Sequence, residues 1–127
     1  MKVIFYLLLV FTISACGLFD SGSKNLTGEY DVGWIDTDCS MKIYRGPLGL
    51  LEGQIFHVGW NSDFIIAKQH PECDKDETMY FIINIKENQS VAYSQTEGVY
   101  GPLPESEFRK LYKEMGIPSE VKFTYEP

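Results

Sequence analysis

After an apolar run at Val3–Ile13, hydrophobic residues in this chain recur mainly at every second position. Phe56, Val58 and Trp60 alternate with His57 and Gly59, the pattern of a half-buried strand. Asp63–Gln69 reads as the next strand, and Asn61-Ser62 between the two predicts a hairpin. The clearest alternation places Met79, Phe81, Ile83 and Ile85 on one face, with Tyr80, Ile82, Asn84 and Lys86 on the other. Glu87-Asn88-Gln89 predicts a polar turn into a further strand at Val91–Ser94. Upstream, Glu29–Ile35 and Met41–Tyr44 are shorter strands joined across Asp36-Thr37-Asp38, and Gly46-Pro47-Leu48-Gly49 reads as a loop.

One segment changes period. Phe108, Leu111, Tyr112 and Met115 follow at helical spacing, with Pro104 suited to the first helical position. Glu105 and Glu107 sit where the helix dipole favours acid, and Gly116 with Pro118 stops the run. Val121–Tyr125 predicts a closing strand. The expected fold is α+β: a mostly antiparallel sheet of about 5–7 strands, its apolar face covered in part by a C-terminal amphipathic helix over about 104–115.

The apolar run at the start is eleven residues long, too short for a bilayer helix, which needs roughly 20. With Met1-Lys2 before it and Ser14-Ala15 after it, residues 1–15 read as a signal peptide. Cys16 directly after the small residues resembles the bacterial lipobox, in which that cysteine takes the lipid. Residues 16–27, with Ser21-Gly22-Ser23-Lys24-Asn25, read as the lipidated end and a flexible tether, leaving 28–127 as one globular domain. Gly17 stands where an Asp would resemble an inner-membrane retention signal, which favours an outer membrane facing the periplasm if the source has two membranes.

All 18 acidic residues lie beyond the leader, against 10 of the 11 basic ones, so the mature protein is strongly acidic. That disfavours nucleic acid as a partner and suits a basic protein. Two cysteines remain after Cys16. In an exported chain Cys39 and Cys73 predict a disulfide, with a metal site using Cys73, His70 and guessed ligands such as His57, Asp36 or Asp38 as the competing reading.

Catalytic motifs are absent: no phosphate-cradling Gly loop, GxSxG or HExxH occurs, and no cofactor is expected. His57 and His70 could each orient a serine, but none is marked out, and the chain is not expected to be an enzyme. The residues expected to meet a partner are Asp36 and Asp38 and the acids Glu72, Asp74, Asp76 and Glu77, a lure for a basic surface. Trp34 and Trp60 join them, each inside a Val-Gly-Trp triplet where the Gly marks a bulge or a close approach to the backbone.

Three segments carry a resemblance: Tyr30-Asp31-Val32-Gly33-Trp34-Ile35-Asp36; Val58-Gly59-Trp60-Asn61 continuing through Phe64-Ile65-Ile66-Ala67-Lys68-Gln69-His70-Pro71; and Gly101-Pro102-Leu103 with Glu107-Phe108. Together they resemble an uncharacterised family of small bacterial proteins, many with lipoprotein leaders. The likeness runs from about Tyr30 to Thr124. It implies one compact domain and a bacterial source, and it implies no activity. The reading that results is an envelope-anchored, non-catalytic binding protein, an inhibitor or immunity protein against an envelope-acting toxin or hydrolase. The alternative is an accessory lipoprotein that binds an assembly component or cell-wall glycan.

Overall fold

The computed structural model describes residues 21–35 and 39–126. The leader, Cys16, Asp36 and Asp38 lie outside the described residues. Strands β1 (Gly22–Thr27), β2 (Tyr30–Trp34), β3 (Lys42–Arg45) and β4 (Leu48–Leu51) form one antiparallel meander. Strands β5 (Ile55–Trp60), β6 (Phe64–Gln69), β7 (Met79–Asn84) and β8 (Val99–Leu103) form a second. Helix α1 (Ile85–Gln89) follows β7, and α2 (Glu105–Glu114) follows β8. The fold is α+β and mostly antiparallel sheet, with eight strands among the described residues rather than the expected five to seven.

Local chemistry explains the connections. Asn61 Oδ1 accepts from the backbone N–H of both Asp63 and Phe64 at 2.8 Å, turning β5 into β6. Gly28 at φ 54° and Gly46 at φ 56° supply the left-handed backbone of the β1–β2 and β3–β4 turns. Asn84 caps α1 by accepting from Glu87 N, while its amide donates to Glu87 Oε1. Helix α2 ends in a Schellman turn: Gly116 (φ 66°) donates to Lys113 O and Ile117 to Tyr112 O. Pro104 is the cap of α2 rather than its first helical residue, because its ψ of 157° is extended.

The alternation along β7 sorts two cores. Ala67, Phe81, Ile83 and Ile85 join Leu26, Tyr30, Val32, Ile43 and Leu51 in one cluster between the sheets. Ile66, Tyr80 and Ile82 face the other way, against Phe108 of α2, Ile117 and Val121. The result is three layers: sheet, sheet, helix. Helix α2 therefore covers the β7 face expected to be the more polar one, and the first sheet covers the other. Burying the Phe108 ring there contributes roughly 1.5–3 kcal/mol.

Three further expectations are corrected. Gly22–Thr27 is not a tether but strand β1, held because Leu26 is buried and Asn25 donates to Asp31 Oδ1 at 2.7 Å. Val91–Ser94 is not a strand; it belongs to a loop drawn around Asn88. Val121–Tyr125 is a strap rather than a full strand, meeting the sheet by the single bridge Val58↔Tyr125. Tyr112 holds that strap by donating to Pro118 O and Val121 O. Gly59 lets it pass, since a Cβ there would run into the Lys122 carbonyl.

Cys39 and Cys73 form a disulfide with their Cα atoms 5.8 Å apart. It ties the loop after β2 to a 3-10 turn at Pro71–Cys73 that follows β6. A cross-link of this length stabilises by roughly 3–4 kcal/mol on the chain-entropy account.

Candidate functional site

The disulfide sets what shares one end of the molecule. Strand β2 ends at Trp34 and runs into Ile35, which is 63% exposed. Ser40 pins that segment, accepting from Ile35 N at 3.0 Å and donating to Ile35 O at 2.8 Å. Across the disulfide lies the segment Glu72–Glu77, every residue of which is exposed. Asp74 Oδ1 accepts from Asp76 N, and Cys73 and Asp74 donate back to His70 O and Pro71 O. Glu72 and Cys73 both hold positive φ, at 54° and 61°, so the acidic segment is a tightly folded turn. Glu72, Asp74, Asp76 and Glu77 thus stand together, beside the Trp34 end of β2.

Trp34 is half-buried, its ring laid against the backbone of Gly22, its cross-strand partner. Tyr44 lies likewise against Gly33. These residues, with Ile35, Ser40 and Lys42, line an open groove of about 460 Å³. Close approach at the Gly of a Val-Gly-Trp triplet is therefore real in both copies, by a tyrosine ring at Gly33 and by the strap at Gly59.

Trp60 does not join them. It closes β5, whose other end, Ile55, pairs with Gln69 just before the acidic turn. It packs edge-on to Tyr125, with Lys24 Nζ 5.8 Å above its ring. Asp36 and Asp38 cannot be placed, since both lie outside the described residues.

The histidines are engaged in packing. His70 stacks on Phe56 at 3.7 Å between ring centroids, and its Nδ1 meets Glu77 O at 3.0 Å. His57 Nε2 lies 3.3 Å from Glu126 Oε2, and its buried Nδ1 has no hydrogen-bond partner among the described residues. Neither histidine lines the groove beside Trp34. Cys73 Sγ is bonded to Cys39, which removes it as a metal ligand.

Sequence reasoning missed the polar centre of the molecule. Asn88 is fully buried, and its side chain meets Tyr30, Arg45, Ser94 O and Glu97 O. Arg45 adds bonds to Asn88 O and Val91 O and an ion pair with Glu29. The loop so held presents Tyr93, 86% exposed, at φ 57°. A polar residue inside a predicted turn gave no signal of this role.

No curated protein and no solved structure matches the chain. The sequence pattern of one family does match, over residues 33–126, which takes in everything from the end of β2 to the strap. The chain belongs to the family described as protein of unknown function (DUF3997).

Proposed function

We propose that this protein is an envelope-anchored bacterial lipoprotein whose domain is a non-catalytic binding module, an inhibitor or immunity protein against a basic toxin or hydrolase acting in the envelope. The observation that carries this reading is the disulfide-tied end. Four exposed carboxylates at Glu72, Asp74, Asp76 and Glu77 stand beside exposed Ile35 on a covalently stapled turn. Inhibition requires one rigid surface, and an acidic surface speeds encounter with a basic partner. The leader and Cys16 support anchoring, which would hold the domain at high local concentration where an incoming enzyme arrives.

The groove of Trp34, Tyr44, Ser40 and Lys42 favours a second reading, an accessory lipoprotein that binds cell-wall glycan. Aromatic rings, a hydroxyl and an ammonium in an open groove suit a sugar as well as a protein side chain. Affinity capture separates the two. The oxidised protein is immobilised, exposed to envelope extract and to products of neighbouring genes, and eluted with salt for mass spectrometry. A basic hydrolase or toxin retained stoichiometrically, and losing activity when bound, supports inhibition. Retained glycan or structural proteins support the second reading, and retention no better than by heat-unfolded protein overturns both.

A further inference from the structure

Helix α2 and the strap are separated by a groove of about 280 Å³, walled by Phe108, Tyr112, Val121 and Phe123 and rimmed by exposed Arg109 and Lys122. Both sides of it are fixed. The Tyr112 hydroxyl ties the start of the strap to the helix through Pro118 O and Val121 O. Further on, Thr124 N and Tyr125 N donate to Val58 O, and Val58 N donates to Tyr125 O at 3.0 Å, which ties the strap to β5. Between these ties the Lys122 carbonyl packs on Gly59. The groove is therefore pre-formed, as sites for small ligands usually are.

The chain has 18 acidic and 11 basic residues, yet this groove is lined by two cations and, among the described residues, by no carboxylate. Lys122 has no acidic partner among the described residues. Arg109 donates through one nitrogen, Nη2, to Glu105 one helical turn away. An exposed pair of this kind is weak, and it leaves the N–H groups at Nε and Nη1 for a second acceptor. Lys68 Nζ lies 4.6 Å from the Phe123 ring centre, which adds a third positive charge against that wall.

We infer that the groove between α2 and the strap binds a small apolar carboxylate. Its aryl or short alkyl body lies on the aromatic and aliphatic walls, and its carboxylate meets Lys122 on the strap, with Arg109 on the opposite lip. Apolar walls supply the affinity and the few charged groups fix the orientation, the usual division of labour in a ligand site. A free small molecule fits better than a bilayer lipid, because ligand pockets run from about 300 to 1,000 Å³ and this groove lies at the lower end, too small for two acyl chains. The groove shares no residue with the disulfide-tied end.

The test uses the exported, oxidised protein in nanodiscs of zwitterionic lipid and three probes that share one body: phenylbutyrate, phenylbutanol and phenylbutylamine. Amide hydrogen exchange read by mass spectrometry across a titration gives both the site and the affinity. Phenylbutyrate is expected to slow exchange in residues 121–125 and in α2, and to bind about two- to fivefold more tightly than the alcohol, with the amine weakest. Lys122→Glu, at an exposed position that leaves the urea midpoint nearly unchanged, is expected to weaken phenylbutyrate about three- to tenfold, since an attraction becomes a repulsion. Lys110→Glu makes the same charge change on α2 outside the groove and is expected to leave the affinity as it was. Protection confined to other segments, or by none of the probes, overturns the inference. So does an amine that binds as tightly as the carboxylate, or an equal loss from the two charge reversals.

Discussion

The Tyr30 hydroxyl donates to Asn88 Oδ1 at 2.7 Å, with both residues at 0% exposure and 58 positions apart. That bond joins strand β2 to the helix that follows β7. Arg45 reaches the same oxygen at 3.3 Å, and the Asn88 amide donates to Ser94 O and Glu97 O. One amide therefore satisfies groups from three parts of the chain. Asn88→Ala leaves the Tyr30 hydroxyl and two carbonyls without that partner, and each such group costs about 1–3 kcal/mol when buried. The variant is expected to lose about 3 kcal/mol or more in urea unfolding, and to expose the loop around Tyr93 to protease before global unfolding.

Stability at alkaline pH follows from the same tyrosine. Burial raises the Tyr30 hydroxyl above its ordinary value of 10.0, with Glu29 adding to the rise and Arg45 opposing it. Burial likewise raises Tyr80, and the hydrogen bond to Glu87 raises Tyr100. The folded state holds these protons more tightly than the unfolded chain. Their stabilisation is then complete below about pH 10 and is lost as pH rises through the folded values. The urea midpoint is expected to stay level up to about pH 9 and to fall steeply above pH 10. Tyr30→Phe should start lower and fall less steeply.

Gly59 tests the strap. A methyl group at this position meets the Lys122 carbonyl, and backbone cannot yield as a flexible side chain can. Gly59→Ala is expected to cost about 1–3 kcal/mol and to free the chain beyond Pro118 for proteolysis. Equal protease resistance in variant and parent would show that the strap does not depend on this contact.

Cys16 tests the anchor. Cys16→Ala is expected to abolish incorporation of labelled fatty acid and leave the chain soluble or unprocessed, and the parent is expected to partition with membranes. Unchanged labelling would remove the lipid from the account.

Much of this architecture was legible because period two survives wherever one face of a strand is buried. Strands β5, β6 and β7 show it, and the helical spacing of Phe108, Leu111 and Tyr112 marked α2. The alternation in β7 could not say that both faces are covered, since Tyr80 can be buried with its hydroxyl at the margin. Strands β4 and β8 were hidden by turn-forming residues: Gly46-Pro47 made the whole segment read as a loop, and Gly101-Pro102 interrupts β8. Strand β1 was hidden for the opposite reason, because Ser23, Lys24 and Asn25 face solvent and Leu26 alone is buried. At the candidate site the acidic run and the cysteine pair were plain in the sequence. That they stand beside Trp34 and apart from Trp60 depends on strand direction and on where the disulfide lands, which no local pattern encodes.

The acidic, stapled end is the centre of the functional account, and neutralising it is the most direct test. The variant Glu72→Gln, Asp74→Asn, Asp76→Asn, Glu77→Gln removes four charges while keeping an acceptor at Asp74 for the Asp76 N–H. The disulfide and the unfolding midpoint should be nearly unchanged, as expected for exposed positions. Captured from envelope extract side by side, the parent should retain a basic protein that salt releases, and the variant should retain at least about tenfold less of it. Equal retention by both proteins would contradict the account.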